Sequence, residues 1–289
     1  IQNMSETKDV LLILSTEANE PKKEDHLSLF HDKRRSSRQS NVMISTHQLA
    51  RFDTLFWKTD HRNITGKVMT RKRKREEYPT IHLGRLTLSR MNNSPHIYLI
   101  DNFLSETELV HCESLISKSK FMPSFVDDPD SKSTMVDKHH RTSTFVAVAK
   151  QADSKISSIE RKAAEILGLT VDRLEPLQMV RYTSGQFFGI HHDLGNLHPD
   201  GTVTLPTKAI FCKRRIATLF CYLNHVEDGG STYFPECNHL RIAPKRGRAV
   251  LFCNILKNGD ADCRTIHAGE PVLGEGSVKY GLNIWACEK

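Results

Sequence analysis

The sequence predicts an α+β chain whose heart is a β-sandwich or jelly roll, preceded by a poorly ordered basic segment. Three observations carry this expectation: a lopsided charge distribution, two amphipathic helical stretches, and a downstream series of short strand-like runs. The positive excess lies early, since residues 1 to 95 hold 18 Lys and Arg against 11 Asp and Glu, while the remainder holds 23 against 23. Helices followed by many short strands separated by Gly, Pro, Asn and Asp clusters are the pattern of a β-rich core with helices to one side.

Taken in order, residues 1 to about 90 are rich in Ser, Thr, Asn, Lys and Arg and show no sustained helical or alternating period, so they are expected to be mostly disordered. Within them RKRKRE, residues 71 to 76, is the densest basic run. It fits a nuclear-import signal, a nucleic-acid contact or a solvated tail. The texture changes at His96, which sets the expected domain boundary: an extension over 1–95 and a folded domain over 96–289. HIYLIDNFL (96 to 104) is a predicted strand, and Ser105 with Glu108 forms a capping box for a helix carrying Leu109, Cys112, Leu115 and Ile116 on one face. A second helix is predicted over 153 to 167, with Ile156, Ile159, Ala163 and Ile166 in a stripe and Gly168 closing its end. Strands follow at LQMVRY (177 to 182), ATLFCYLN (217 to 224), AVLFCNI (249 to 255) and YGLNIWA (280 to 286).

Composition excludes several classes. A hydrophobic content of 38% over 289 residues supports a substantial core. VLLIL, residues 10 to 14, is the longest apolar run near the start; it is too short for a signal-peptide core or a bilayer span. The compartment this predicts is cytoplasmic or nuclear, or the endoplasmic reticulum should a leader precede Ile1. Seven cysteines without CxxC spacing argue against a zinc ribbon or a thioredoxin-like pair and favour mostly free thiols.

The chemistry concentrates in RYTSGQFFGIHHD, residues 181 to 193. Side chains two apart on an extended chain point the same way, so His191 and Asp193 can grip one metal ion while His192 turns to the opposite face as a packed or surface residue. HxD alone is weak in a chain with 15 histidines, and it recurs at His198–Asp200. That second copy contains a proline and sits in the polar connection GNLHPDGTVTLPTK, whereas the first follows a strand-like aromatic segment. Two histidines and one carboxylate on one face of an ion make the non-haem iron facial triad, so a third ligand is needed. His225, before EDGG, and His239, in ECNHL, fit surface positions; His267, in RTIHAGEPV, has small residues after it that let an imidazole approach a ligand uncrowded.

From about residue 97 to the end the chain resembles the prolyl 4-hydroxylase family of Fe(II)- and 2-oxoglutarate-dependent dioxygenases. The matching segments, in order, are LQMVRYTSGQFFGIHHD, RIATLFCYLNHVEDGGSTYFP, IAPKRGRAVLF and HAGEPVLGEGSVKYGLNIW. The resemblance implies a double-stranded β-helix (jelly roll) with N-terminal helices packed on its major sheet. It implies that His191, Asp193 and His267 bind Fe(II), that Lys279 pairs with the distal carboxylate of 2-oxoglutarate, that the Tyr182 hydroxyl reaches the same carboxylate, and that Thr218 lines that pocket. Arg141 and Ser143, in HHRTSTF, match a segment near the family's peptide-binding loop. Between His267 and Lys279 the loop LGEGSV is longer by about two residues than the family spacing, and residues 195 to 215 form a long connection after Asp193.

The implied activity is hydroxylation of prolyl residues in a peptide or protein, with O2 as cosubstrate, succinate and CO2 as products, and ascorbate as reductant. Two rivals stand beside it. One keeps the oxygenase but acts on another amino acid or a nucleic acid, with the basic run as a docking arm. The other keeps the barrel as a non-catalytic binding module.

Overall fold

The computed structural model describes residues 55–56, 80–83, 86–124, 126–128, 133–135, 139–206, 212 and 214–288. The basic run at 71–76 and most of the expected N-terminal extension lie outside them.

Strands β1 (Thr80–Leu83) and β2 (Leu86–Asn93) pair antiparallel and lead into β3 (His96–Ile100). Helix α1 (Glu106–Lys118) starts on the capping box expected from the sequence: the Glu108 amide donates to the Ser105 hydroxyl, and the Ser105 amide donates to the Glu108 carboxylate at 2.8 Å. Then come β4 (Met122–Pro123), a ribbon of β5 (Val126–Asp128) and β6 (Ser133–Met135), and β7 (Thr144–Val148). Helix α2 (Ser154–Leu167) is capped by Asp153, which accepts from the Lys155 and Ile156 amides, and it stops at Gly168 with φ of 66°. That left-handed turn costs an L side chain energy and a glycine almost none.

The second half is strand-rich. It contains β8 (Leu177–Thr183), β9 (Phe188–His191), a ribbon of β10 (Asn196–Leu197) and β11 (Val203–Thr204), and β12 (Arg215–Tyr222). There follow β13 (Thr232–Phe234), β14 (Leu240–Ile242), β15 (Ala249–Cys253), β16 (His267–Gly269) and β17 (Val278–Cys287). A nine-stranded antiparallel sheet runs β1-β2-β3-β15-β12-β17-β8-β7-β4, and a four-stranded sheet runs β14-β13-β16-β9.

Both faces of the large sheet's centre are covered, which is why its central strands are rich in apolar residues on both sides rather than alternating. On one face Leu177, Met179, Ala217, Leu219, Leu251, Leu282 and Ile284 form one cluster with Leu109, Cys112, Ile156, Ile159 and Leu167 of the helices. The intervening residues turn to the other face: Ile97, Tyr222, Val250 and Phe252 meet Phe234 of the small sheet, and Val180 and Tyr182 meet Phe188. Each such aliphatic or aromatic side chain contributes roughly 1.5–3 kcal/mol when fully buried. The candidate site lies between the two sheets.

The folded region begins earlier than the boundary expected at residue 96. β1 and β2 extend the large sheet, and Leu55 and Phe56 are buried, with the Leu55 carbonyl accepting from the Tyr98 hydroxyl at 2.5 Å. LTLSRMNN is a partly exposed strand near the sheet edge, so it carries no clean apolar period. Among the cysteines, Cys212 and Cys287 form a disulfide across 75 residues, and Cys112, Cys221, Cys237, Cys253 and Cys263 are free. No helix among the described residues is long and apolar enough to cross a membrane.

Candidate metal centre

Adjacent strands of the small sheet bring the first two groups together. β9 pairs antiparallel with β16, and His191 sits directly opposite His267 with ring centroids 4.2 Å apart. Asp193 follows two residues later, on the same side, with Oδ1 3.6 Å from His191 Nε2 and Oδ2 3.8 Å from His267 Nε2. The tautomers follow from their neighbours. His191 Nδ1 lies 2.8 Å from the Gly189 carbonyl and His267 Nδ1 2.9 Å from the Thr265 carbonyl. A carbonyl can only accept, so both Nδ1 atoms donate and both Nε2 atoms turn a lone pair toward the carboxylate. Two lone pairs and an anion converging in a closed space call for a cation, and this donor set on one side suits Fe(II) with open positions opposite.

The large sheet orients the carboxylate. Thr218 on β12 and Trp285 on β17 are a cross-strand pair, and both donate to Asp193 Oδ2, the hydroxyl at 2.6 Å and the indole N–H at 3.2 Å. Asn254 in turn donates to the Thr218 hydroxyl at 3.0 Å. Burial works against the charged form of Asp193, and the hydrogen bonds from the Thr218 hydroxyl and the Trp285 indole favour it. His267 is packed against Phe252 and Phe234; burial, and then His191, push its pKa down to about 4, so its imidazole is neutral at physiological pH.

The same cavity reaches Lys279. Register places Lys279 opposite Tyr182, and its ammonium stands 5.2 Å from the Tyr182 ring, 5.3 Å from Phe220 and 5.5 Å from Tyr222. It donates to the Gly230 carbonyl at 2.5 Å, and burial lowers its pKa to about 7. A buried ammonium inside aromatic walls is an anchor for an anion entering from the cavity. Gly230 is held at φ of 66°, and a Cβ there would lie 3.2 Å from the Lys279 stem, so a side chain would strain the turn and crowd the lysine. The LGEGSV loop turns at Gly274 and Gly276, both with positive φ, and is closed by Ser277 N–H to the Gly274 carbonyl.

Arg141 and Ser143 sit beside the histidines. Arg141 Nε donates to the Ser143 hydroxyl at 3.2 Å, and its guanidinium lies 4.3 Å from the Phe188 ring, which stacks on His191 at 3.6 Å. Ser143 is buried and also shares a hydrogen bond with Ser124, so it braces Arg141 from behind. The other HxD copy lies apart, in the turn between β10 and β11, where Asp200 accepts from Thr202. His225 pairs with exposed Glu227, and His239 stacks on Tyr233 at the surface. His192 is buried and hydrogen-bonded.

Trp285, Asn254, Phe188 and Thr232 were not singled out from the sequence. Thr232 lines the cavity and bonds the Tyr222 hydroxyl at 2.6 Å. Period-2 alternation along NIWA and GGSTYF would have put Trp285 and Thr232 on an inner face, but no local signal says what they meet there. A second group, Glu175 with Cys212 and Cys287, is also compact. Its sulfurs are joined as a disulfide and its carboxylate is held by Arg215 at 2.8 and 3.0 Å, so those donors are already used.

A family model described as the 2OG-Fe(II) oxygenase superfamily matches residues 177–287. The "Probable prolyl 4-hydroxylase 7" of Arabidopsis thaliana is 31% identical over 219 residues, spanning 68% of this chain and 64% of that protein. The prolyl 4-hydroxylase subunit alpha-2 of Gallus gallus is 31% identical over 197 residues, spanning 68% of this chain and 35% of that protein. The chain thus covers less than two thirds of the length of either relative. Among solved structures, the viral collagen prolyl hydroxylase of Paramecium Bursaria Chlorella virus-1 in its 2OG complex is 27% identical, with a TM-score of 0.48, over 65% of this chain and 94% of that one.

Proposed function

The chain belongs to the prolyl 4-hydroxylase family within the 2OG-Fe(II) oxygenase superfamily, and from that premise we propose that it is an Fe(II)- and 2-oxoglutarate-dependent dioxygenase acting on prolyl residues of a protein substrate. The observation that carries the reading is the convergence of His191, Asp193 and His267 in one cavity with the buried Lys279 ammonium. When bound, the metal and cosubstrate supply the oxidative chemistry, in which 2-oxoglutarate and O2 become succinate and CO2 and one oxygen atom passes to proline.

The protein's own groups do the rest. His191, neutral His267 and ionised Asp193 would hold the metal. Thr218 and Trp285 fix the carboxylate's angle. Lys279, with Tyr182 beside it, takes the distal carboxylate of 2-oxoglutarate. Phe188 and Phe252 keep the region around the histidines dry, and Arg141, over Phe188, meets the peptide at the mouth. Ascorbate sustains turnover as the reductant. In the same reading the two sheets are the major and minor faces of a double-stranded β-helix, with α1 and α2 packed on the major sheet.

The test is succinate release from 2-oxoglutarate with Fe(II) and ascorbate in the presence of proline-rich peptides, the same peptides with Pro→Ala, or single-stranded nucleic acid. Stimulation by the proline peptides alone, lost in His191→Ala, supports the reading. Stimulation by nucleic acid, weakened by salt, favours the docking-arm rival. Metal binding without succinate favours the non-catalytic module.

A further inference from the structure

We propose that His192, the residue between the first two metal-binding side chains, is a positioning residue that cross-links the two segments carrying the metal centre. This rests on the metal-centre reading above and adds a group outside the donor set to it.

The ligands come from two places far apart in sequence: His191 and Asp193 at the end of β9, and His267 at the start of β16. Pairing of β9 with β16 fixes their relation as far as His191, the last residue of β9, and the register shifts between His267 and Gly269. Asp193 lies beyond that pairing. His192 points away from the cavity and is 3% exposed. Its Nδ1 accepts the Leu194 amide at 3.1 Å, so the ring proton is on Nε2. Nε2 then donates to the Asp262 carbonyl at 3.1 Å, with the Thr265 hydroxyl at 3.3 Å.

Those partners belong to the turn that delivers His267. The Asp262 carboxylate caps the 3-10 turn Cys263–Thr265 and is gripped by Arg264 at 2.7 Å. The Thr265 hydroxyl donates to the Asp262 carbonyl at 2.8 Å, and the Thr265 carbonyl receives the His267 Nδ1 proton at 2.9 Å. An unbroken series of hydrogen bonds therefore runs from the Asp193 turn through His192, Asp262 and Thr265 to the His267 ring. The sequence separation along the backbone is 74 residues, from 193 to 267. An imidazole suits the place because it accepts at one edge and donates at the other from a flat, rigid ring. Glutamine can approximate this, with its carbonyl toward Leu194 and its amide N–H toward Asp262. Leucine can do neither. Groups that orient metal ligands from behind are worth about 10–100-fold in metal affinity.

The experiment is an anaerobic titration of the metal-free full chain with Co(II) in place of Fe(II), read by the Co(II) absorption spectrum, together with the melting temperature of the metal-free protein. Wild type, His192→Gln and His192→Leu are compared. The expected result is a roughly tenfold or greater loss of Co(II) affinity with an altered spectrum in His192→Leu, and affinity within a few-fold of wild type in His192→Gln. A His192→Leu protein that melts earlier yet keeps the wild-type Co(II) affinity and spectrum would overturn the proposal, because the ring would then be packing alone. If His192→Leu does not fold, His192→Asn, too short to span both partners, takes its place with the same two outcomes. Failure of the wild type itself to bind Co(II) would overturn the metal-centre reading, and this proposal with it.

Discussion

Lys279 is the residue through which pH would act on the proposed cosubstrate site. In the free protein its charge is buried under three aromatic rings, and burial brings its pKa to about 7, with Glu270 pulling upward. A carboxylate arriving from 2-oxoglutarate requires the protonated form. As pH rises through about 7 the free lysine loses its proton. Affinity for 2-oxoglutarate therefore falls above that pH, by up to about tenfold per unit, and binding at about pH 8.5 takes up a proton. Calorimetry in buffers of different ionisation enthalpy measures both effects; pH-independent binding would show that Lys279 is not the anchor. Removing the group in Lys279→Ala weakens 2-oxoglutarate about 10–100-fold, the worth of a charge-assisted hydrogen bond, and leaves Co(II) affinity unchanged. Thr218 acts on the other component. Its hydroxyl is spent on Asp193, so Thr218→Val lowers metal affinity by about 10–100-fold, with a smaller effect on 2-oxoglutarate. Equilibrium dialysis with each ligand separates the two variants.

At the scale of elements, the strands that carry the site are closely packed. Gly281 in β17, two residues beyond Lys279, lies under Phe220, and a Cβ would come within 2.3 Å of that ring. Gly281→Ala therefore displaces Phe220 or β17 and destabilises by about 1–3 kcal/mol, with weaker 2-oxoglutarate binding because Phe220 is a wall of the Lys279 pocket. Urea unfolding and the 2-oxoglutarate titration test both parts. Much at this scale was legible in the sequence. The Ser105–Glu108 box and Gly168 mark helix ends by local chemistry, and β8, β12, β15 and β17 are rich in apolar residues at successive positions because both their faces are covered. The HxD pair and His267 were legible because a period of two and small neighbours are local properties. Less was legible where partners are distant. β2 shows no clear period because its residues are partly exposed, the Cys212–Cys287 bridge spans 75 residues, and the duties of Trp285 and Thr218 are set by a cross-strand register. Only the resemblance to the family suggested a role for Lys279, which as a strand lysine reads locally as a surface residue but is buried here.

The whole molecule puts one half of the site on each sheet: the small sheet provides His191 and His267, and the large sheet provides Lys279, Tyr182 and the donors to Asp193. A metal held by these groups would join β9 to β16, with the large sheet bracing Asp193, and so would stabilise the native state over the unfolded chain. At a Co(II) concentration of about 100 times its dissociation constant the gain is about 2.7 kcal/mol, seen as a rise in melting temperature that chelation reverses and His191→Ala abolishes. The peptide would meet Arg141 and Phe188 at the rim, beside the ring of His191. The most direct test of this arrangement is mass spectrometry of a proline-rich peptide after incubation with the protein, Fe(II), 2-oxoglutarate, ascorbate and O2. The account predicts one added oxygen atom located on proline, matched by an equal amount of succinate and absent with His191→Ala. Succinate formed while every proline stays unmodified, or oxygen located on another residue, would contradict it.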